Sequence, residues 1–298
     1  MIRATGIDIS YYDLSFDSAI ASRKIDFVIQ RVSLGLRSGK IIKDTALETL
    51  YQGARKIGIV GAYHYLSSHS GWKSQADFFL SIVQDLDYQF YALDFEGAYN
   101  TMGDDFAAAA QNWTTYVALK SKKKVVLYTN PSHYDADLYP YGDWMQLYPL
   151  WIAQYWKDPS PDRTPALPKK RKKGDWSIWQ YASEINFPGH GKEYGCGGNS
   201  VDLNVFNGTV EDMHAWLQFY TPPPPPPPNT DKKYKVVVGH LNIRVAPNVN
   251  ASITGGMKQG DVFGVVEKVK AGEYTWLKMT DGCYVCEKSE YFFAEEVS

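Results

Sequence analysis

Two acidic residues separated by a single residue, Asp94 and Glu96, are the part of this sequence best suited to chemistry. They follow an apolar run at 90–93 and precede Gly97, a pattern that predicts a strand leaving into a loop. Side chains two apart on a strand point to the same side, with Cα atoms about 6–7 Å apart. Two carboxyl groups directed at one point are the equipment for cleaving a glycosidic bond.

Two further acids, Asp8 and Asp202, stand among apolar residues in predicted strands. An acid in an apolar strand is costly to bury unless it is paired or used. The alternative to a site role is a structural role as a capping or turn residue, which fits Asp13 or Asp17 better. If the strands belong to one barrel and end at the same rim, we expect Asp8, Asp94, Glu96 and Asp202 to meet at that rim.

The elements that must position these acids are eight β-rich apolar runs before residue 221. They lie at 5–9, 27–30, 59–63, 88–94, 125–128, 150–153, 176–180 and 201–205. Helical patterns at 44–54, 74–86 and 104–119 separate the early runs, and loops rich in Pro, Gly and Asp separate the late ones. This predicts an α/β chain forming a (β/α) barrel of TIM type with irregular last units. An open doubly wound sheet is the competitor, but no G-x-G-x-x-G follows the first run.

A tract of seven prolines at 222–228 marks the clearest boundary. Such a tract forms a polyproline II rod of about 22 Å. We therefore predict a barrel at 1–220, a linker at 221–232 and a second domain at 233–298. Short alternating runs with Gly and Asp turns predict a small all-β barrel for that domain. They lie at 234–238, 262–266, 276–279 and 284–285.

Seven motifs in order give the first region a specific resemblance. They are Gly6-Ile-Asp8-Ile-Ser10, Gly61-Ala-Tyr63-His-Tyr65, Asp94-Phe-Glu96, Leu127-Tyr128-Thr-Asn130, Leu150-Trp151-Ile-Ala153-Gln-Tyr155, Trp179-Gln180-Tyr181 and Val201-Asp202-Leu-Asn204. Together they resemble glycoside hydrolase family 25, the Chalaropsis-type lysozymes, which include many phage endolysins. The resemblance covers roughly residues 3–218.

That resemblance implies an N-acetylmuramidase that cuts the β-1,4 bond between N-acetylmuramic acid and N-acetylglucosamine. Glu96 would be the general acid, and Asp94 would orient the 2-acetamido group of the substrate as it attacks the anomeric carbon. Asp8 and Asp202 would complete an acidic floor. The nucleophile, acetamido group or enzyme carboxylate, stays open. Aromatic residues at matching positions would line the groove: Tyr63, Tyr65, Tyr128, Trp151 and Tyr155.

The second region resembles bacterial Src-homology-3-like wall-binding modules over about 234–293. The resemblance rests on segments at 241–244, 256–260, 276–278 and 282–285. It implies binding to the peptide part of peptidoglycan. A module for oligomerisation or stability alone is the alternative.

The composition limits the classes of partner and cofactor that we expect for this protein. The net charge of −2 gives no reason to expect nucleic acid. Three cysteines do not make a disulfide framework, and the six histidines show no ligand spacing, so we expect neither metal nor other cofactor. We expect a monomer with no signal peptide and no membrane insertion, made in the host cytoplasm and acting on the bacterial wall after release. The basic run at 169–173 is expected in a solvated loop on the substrate side.

Three rival functions remain open on the sequence alone. One is another barrel glycosidase, such as a chitinase. The second is a non-enzymatic wall-binding protein. A peptidase or amidase is third, and it would need a thiol or a metal.

Overall fold

Eight strands of the N-terminal unit close into one barrel-shaped sheet, with a ninth strand paired to its outside edge. The computed structural model describes residues 2–97, 100–102, 104–139, 143–172, 174–219, 232–279, 283–287 and 293–297. The strands are β1 (Thr5–Ile9), β2 (Phe27–Gly35), β3 (Ile41–Lys43), β4 (Ile59–Tyr65), β5 (Phe90–Asp94), β6 (Val125–Thr129), β7 (Leu150–Ala153), β8 (Trp176–Ala182) and β9 (Asp202–Phe206). The barrel order is β1-β2-β4-β5-β6-β7-β8-β9, and β9 pairs back to β1. All eight predicted runs are barrel strands; the hairpin strand β3, antiparallel to β2, was not predicted.

The last barrel strand, β9, is antiparallel to its neighbours, so the barrel is not all parallel. Neighbouring strands from β1 to β8 are parallel, β3 aside, but β9 is antiparallel to both β8 and β1. A parallel crossover needs a connection that returns along the barrel, usually a helix. The connection at 183–201 holds only one 3₁₀ turn, Gly191–Tyr194, so β9 starts at the end where β8 stops. The predicted TIM-type arrangement is therefore wrong in the direction of its last strand.

Helices cover the outside of the barrel between the early strands. They are α1 (Ser18–Ala21), α2 (Leu47–Ala54), α3 (Trp72–Val83), α4 (Asp104–Ser121), α5 (Pro131–His133) and α6 (Val210–Gln218). The three predicted helices are present with shifted ends. Asp44, the first residue of the helical pattern that contains α2, accepts a hydrogen bond from the Ala46 amide (2.9 Å) just before that helix begins. No described helix is long and apolar enough to cross a bilayer.

Two layers of apolar side chains hold the barrel together. Inward-facing residues fill its interior, among them Phe27, Phe90 and Trp151. Gly6 and Gly61 make room for this filling: a Cβ on either would lie 2.4 Å from the ring of Phe27 or Phe90, respectively. Each fully buried Phe contributes about 1.5–3 kcal/mol relative to exposure. The outward faces pack against the helices in a separate layer.

Helix α6 closes the amino end of the barrel. Thr209 caps it, accepting from the Asp212 amide at 3.2 Å. Trp216 packs against Phe90 at the start of β5 and Phe206 at the end of β9. The opposite end, where β1 to β8 finish, is left open.

His64 is a buried, hydrogen-bonded residue that connects β4 to its neighbours. Its ring nitrogens lie 2.8 Å from the Ser33 hydroxyl and 3.0 Å from Gln75 Oε1, and the ring stacks on Trp113. Burial lowers the pKa of this imidazole to about 4, so it is neutral at pH 7. The role of His64 is therefore structural.

The chain divides into two compact units, Met1–Pro224 and Pro225–Ser298. The second is all β, with β10 (Lys232–Val236), β11 (His240–Arg244), β12 (Ile253–Lys258), β13 (Val262–Ala271), β14 (Tyr274–Met279), β15 (Tyr284–Glu287) and β16 (Ala294–Val297) in the order β12-β11-β15-β14-β13-β10-β16. The four predicted runs fall in β10, β13, β14 and β15, while β11, β12 and β16 were not predicted. Residues 220–231, most of the predicted linker, lie outside the described residues; Lys232, its last residue, begins β10.

Candidate active site

A groove of about 1160 Å³ occupies the open end of the barrel. Its lining contains all four predicted acids, Asp8, Asp94, Glu96 and Asp202. The reversal of β9 explains why Asp202 is among them. As the first residue of an antiparallel strand it lies at the open end, directly opposite Asp8 in the β1–β9 register. On a parallel strand the same residue would start at the closed end.

The first two acids come from β5 and the residues that follow it. Asp94 ends the strand, Phe95 turns outward to stack on Phe106 at 4.7 Å, and Glu96 turns back into the groove. This is the period-two alternation that the sequence predicted. The side-chain amide of Asn100 donates to the Glu96 carbonyl at 3.0 Å.

A histidine fixes the backbone just after Glu96. The Gly97 amide donates to His133 Nε2 at 3.2 Å, and His133 Nδ1 lies 2.6 Å from Asp137 Oδ2. Since Nε2 accepts, Nδ1 carries the proton and donates to Asp137. A Cβ at position 97 would lie 2.3 Å from the His133 ring, so only glycine fits this contact.

Burial and mutual repulsion set the protonation of the β5 pair. Burial, reinforced by the Glu96 charge, holds the pKa of Asp94 well above its ordinary value. Burial also raises the pKa of Glu96, although the Asp94 carboxyl, the Tyr128 hydroxyl and the Arg31 charge counteract it. The pair therefore retains a proton to higher pH than free carboxyls do. Asp94 Oδ1 is buried and accepts no hydrogen bond from the described residues.

The other two acids share amide donors. Gln180 Nε2 donates to Asp8 Oδ2 at 2.9 Å and to Asp202 Oδ2 at 3.1 Å. Asn204 Nδ2 donates to Asp8 Oδ2 at 2.7 Å and its carbonyl oxygen accepts from Trp151 Nε1. Burial nevertheless raises the pKa of Asp8 to about 6 and that of Asp202 well above its ordinary value, the second helped by the Asp8 charge.

Gln180 also connects the acids to two tyrosines. Its Oε1 accepts from the hydroxyls of Tyr128 (2.9 Å) and Tyr155 (2.5 Å). Tyr128 also lies within hydrogen-bonding reach of Glu96. A hydroxyl has one proton, so Tyr128 donates to either Gln180 or Glu96 at a given moment. The amide and the hydroxyl thus link the two carboxyl pairs.

All five predicted aromatic residues line the groove: Tyr63, Tyr65, Tyr128, Trp151 and Tyr155. Their rings are not equally exposed to the groove. The Trp151 ring is only 1 % exposed, packed edge-on against Tyr63 and Tyr128. It supports the floor through Asn204 and offers no open face for a sugar ring, which departs from the predicted role.

An arginine that the sequence reasoning missed lies beside the acids. Arg31 ends the regular part of β2, opposite Tyr63 in the parallel register. Its Nε donates to Asp44 Oδ2 at 2.8 Å, in a buried ion pair. The guanidinium lies 5.1 and 5.5 Å from the ring centroids of Tyr11 and Tyr12. Arg31 lowers the pKa of Asp8, Asp94 and Glu96, although burial outweighs it in each case.

Three more residues were missed as site residues: Asp13 and Gln180, which line the groove, and Asn204, which is buried and contacts the site through Asp8. The Asp13 carboxyl accepts from the Ser10 amide at 2.8 Å, and burial raises its pKa to about 7. A signal for the amides was present, because Gln180 and Asn204 are polar residues inside apolar runs, Asn204 two positions after Asp202. Asp13 has no such signal in the sequence, because its surroundings there are those of a turn residue.

The basic run lies away from the groove, which corrects its predicted position. None of the described residues 169–172 lines the groove. Arg171 Nη2 donates to the carbonyls of Tyr148 and Asp175, which precede β7 and β8 at their amino ends. The loop that follows β7 starts at the open end of the barrel, but its basic residues lie on the outside of the barrel. Residue 173 lies outside the described residues.

No cluster of three or more His, Cys, Asp or Glu side chains suited to a metal ion occurs among the described residues. The groove offers four carboxyl groups, and the Asp94–Glu96 pair retains a proton because it is buried and its two members lie close together. It can donate a proton to a leaving oxygen and stabilise positive charge on a sugar ring.

Comparisons with known proteins agree with that chemistry. The sequence profile of the family described as "Glycosyl hydrolases family 25" matches residues 7–190. Protein YegX of Escherichia coli K12, which is uncharacterized, is 28 % identical over 216 residues, 71 % of this chain and 72 % of its own.

Among solved structures, a family GH25 lysozyme from Aspergillus fumigatus superposes with a TM-score of 0.57. It is 22 % identical and covers 72 % of this chain and 98 % of its own. The catalytic domain of endolysin ply40, from bacteriophage P40 of Listeria monocytogenes, gives 0.56 at 22 % identity, over 73 % and 98 %. These likenesses concern the fold. On the family match, the chain belongs to glycosyl hydrolase family 25 and is a glycoside hydrolase.

Proposed function

We propose that this protein is an N-acetylmuramidase that hydrolyses the glycan strands of bacterial peptidoglycan. The observation that carries the proposal is the meeting of Asp94 and Glu96 with Asp8 and Asp202 in one open groove. Membership of family 25, and a fold shared with a lysozyme and an endolysin, support the choice of substrate.

In this mechanism Glu96 is the general acid. It gives its proton to the glycosidic oxygen as the bond from that oxygen to the anomeric carbon breaks. The carbonyl oxygen of the substrate's 2-acetamido group attacks the anomeric carbon, and Asp94 accepts a hydrogen bond from the acetamido N–H. Water then opens the resulting ring, giving up a proton to the Glu96 carboxylate. The Asp8–Asp202 pair, in which Asp8 has the less strongly raised pKa, keeps a negative charge that stabilises the positive charge developing on the sugar.

The raised pKa of Glu96 supports its role. A general acid must hold its proton at the working pH, and an ordinary glutamic acid would have lost it near pH 7. Tyr128 lies close enough to hydrogen-bond the carboxylate after transfer. Loss of activity on the alkaline side is therefore expected to follow ionisation of the Asp94–Glu96 pair.

The test is an analysis of the ends released from purified peptidoglycan. After borohydride reduction and acid hydrolysis, a muramidase yields muramitol, whereas a glucosaminidase yields glucosaminitol. Glu96→Gln should lower the rate about 100- to 10 000-fold, the usual contribution of a general acid. Glu211→Gln, an exposed glutamate of α6 at the closed end, is the matched control and should behave as wild type.

Glucosaminitol in place of muramitol, or full activity in Glu96→Gln, would contradict the proposal. Cleavage of chitin oligosaccharides at the same rate as peptidoglycan would favour a chitinase. Wall binding without cleavage by wild type would favour a non-enzymatic protein.

We also propose that Pro225–Ser298 is a Src-homology-3-like wall-binding module. Its separate seven-stranded sheet and own core support an independent function. Anchoring raises the local substrate concentration without changing the chemistry. Removal of 225–298 should reduce lysis of whole walls and leave the cleavage rate of soluble glycan fragments unchanged; an equal loss on both substrates would argue against anchoring.

A role as a phage endolysin, acting on the wall after release from the cytoplasm, is a further proposal from the sequence resemblance. Expression together with a membrane-permeabilising protein should lyse a susceptible host, and expression alone should not. Lysis on expression alone would count against it.

A further inference from the structure

The charges along the groove are unevenly distributed. Its floor carries the four acids, and its wall on the β8–β9 side adds Glu184, which is exposed. A second wall, formed by β2 and β3, contributes two arginines, Arg31 and Arg37. The Arg31 charge is matched by the ion pair with Asp44. Arg37 has no ion-pair partner among the described residues, so it is the unmatched cation of the groove.

The backbone that carries Arg37 is a tight, anchored turn between β2 and β3. The Leu36 amide donates to the Lys40 carbonyl at 2.7 Å, and the Gly39 amide donates to the Leu36 carbonyl at 2.9 Å. Gly39 has a φ of +79°, a conformation that glycine adopts without strain. The turn therefore holds the Cα of Arg37 at the rim, while its side chain is exposed.

Muramyl units differ from other 2-acetamido sugars by a lactyl ether. Its carboxyl group is free in peptide-stripped strands; otherwise it is amide-linked to a peptide that bears carboxylates of its own. A carboxylate beside the acidic floor or Glu184 would be repelled, and one beside Arg37 would be attracted and could form two parallel hydrogen bonds. The charge distribution therefore favours the β2–β3 wall as the side that these groups face.

We propose that Arg37 is a specificity-determining residue that binds the carboxylates carried by the muramyl unit, and that the muramyl side groups lie along the β2–β3 wall. The proposal rests on the proposed function. It predicts that Arg37 distinguishes peptidoglycan strands from uncharged 2-acetamido glycans of the same backbone.

The experiment compares one glycan in two charge states. Peptide-free peptidoglycan strands are assayed before and after carbodiimide amidation, which neutralises the lactyl carboxylates and leaves the backbone unchanged. On the anionic strands Arg37→Ala should lower kcat/KM about three- to tenfold, the range for an exposed charge-assisted contact. On the amidated strands it should match wild type within about twofold, and about 1 M salt should remove most of the difference on the anionic ones.

The matched control is Arg23→Ala. Arg23 is an exposed arginine outside the groove, so its loss changes net charge equally and should leave both rates unchanged. Intact, peptide-bearing strands identify the source of the carboxylate. A loss confined to them assigns it to the peptide, and a loss confined to stripped strands assigns it to the lactyl group.

Equal losses on anionic and amidated strands, or no loss on any anionic strand, would overturn the inference. These outcomes are separate from failure of the proposed function, in which wild type would release no muramic reducing ends from any strand.

Discussion

The two pairs of carboxyl groups at the mouth of the barrel have the same chemistry and different surroundings. Asp8 and Asp202 are held by the side-chain amides of Gln180 and Asn204. Asp94 and Glu96 have no such amide pair, and Asp94 Oδ1 accepts nothing from the described residues. Their neighbours are each other, the Tyr128 hydroxyl and the Arg31 guanidinium.

In the proposed mechanism Asp8 and Asp202 support the site, whereas Asp94 and Glu96 take part in the reaction, and their different surroundings agree with that division. Amide donors do not titrate, so they fix the orientation of Asp8 and Asp202 at every pH. The β5 pair keeps acceptor capacity for a substrate N–H and a proton for a leaving oxygen. Environment, rather than residue type, assigns the roles, as it does wherever two carboxyls share a site.

The largest expected effect that tests this comparison is that of Asp94→Asn. If Asp94 acts on the acetamido group, kcat should fall about 100- to 1000-fold with KM changed less than about threefold, because the interaction strengthens in the transition state. De-N-acetylated strands should be poor substrates for wild type, and the variant should lose little more on them. Fully additive losses from the variant and the altered substrate would show that Asp94 acts elsewhere.

A smaller effect is expected from Asn204→Ala, which removes a donor from Asp8 and the partner of Trp151 Nε1. The donor lowers the pKa of Asp8, so its loss should move the acid limb of kcat/KM to higher pH and reduce activity about tenfold. Asn207→Ala, which removes an amide just beyond the far end of β9, is the control. An unshifted pH profile would mean that the amides serve only to pack the floor.

The smallest effect on catalysis is expected from Asp13, whose substitution changes stability instead. Asp13 shares the rim and a raised pKa of about 7, but it accepts from the Ser10 amide. The folded state holds this proton more tightly than the unfolded state, whose carboxyl has an ordinary pKa of 3.8. Stability is therefore lost as the pH rises from about 4 to about 7, by up to about 4 kcal/mol.

Asp13→Asn removes that loss and can still accept from Ser10. Its melting temperature relative to wild type should increase between pH 4 and pH 8, followed by calorimetry, whereas Asp85→Asn at an exposed site should show no such trend. A constant difference across this range would mean that Asp13 does not keep its proton in the folded protein.

Much of this fold was predictable because it follows from short patterns of apolar and polar residues in the sequence. The eight barrel strands are apolar runs bounded by turn residues, and the alternation of Asp94, Phe95 and Glu96 follows from strand geometry alone. The direction of β9 could not be read in that way. It depends on whether the chain between β8 and β9 crosses the barrel, which the apolar pattern of the strand does not encode.

The missed residues share a physical reason. Arg31, Gln180 and Asn204 act through partners 13 to 196 positions distant, such as Asp44 and Asp8. A single sequence offers no sign of which buried amide meets which acid. The basic run shows the reverse error, since its charge was conspicuous and its loop began at the right end, but the contacts of Arg171 lie on the outside of the barrel.

The hairpin-like join between β8 and β9 also bears on how such an enzyme could acquire new substrates. The intervening segment at 183–201 starts and finishes on the same rim, and it contributes Glu184, Ile185 and Ser200 to the wall of the groove. Lengthening a surface loop costs little conformational free energy, roughly 0.6 kcal/mol for each doubling. Insertions there would reshape the wall beside the acids without displacing a helix or a barrel strand, which makes this segment a natural place to retune the enzyme toward differently decorated glycans.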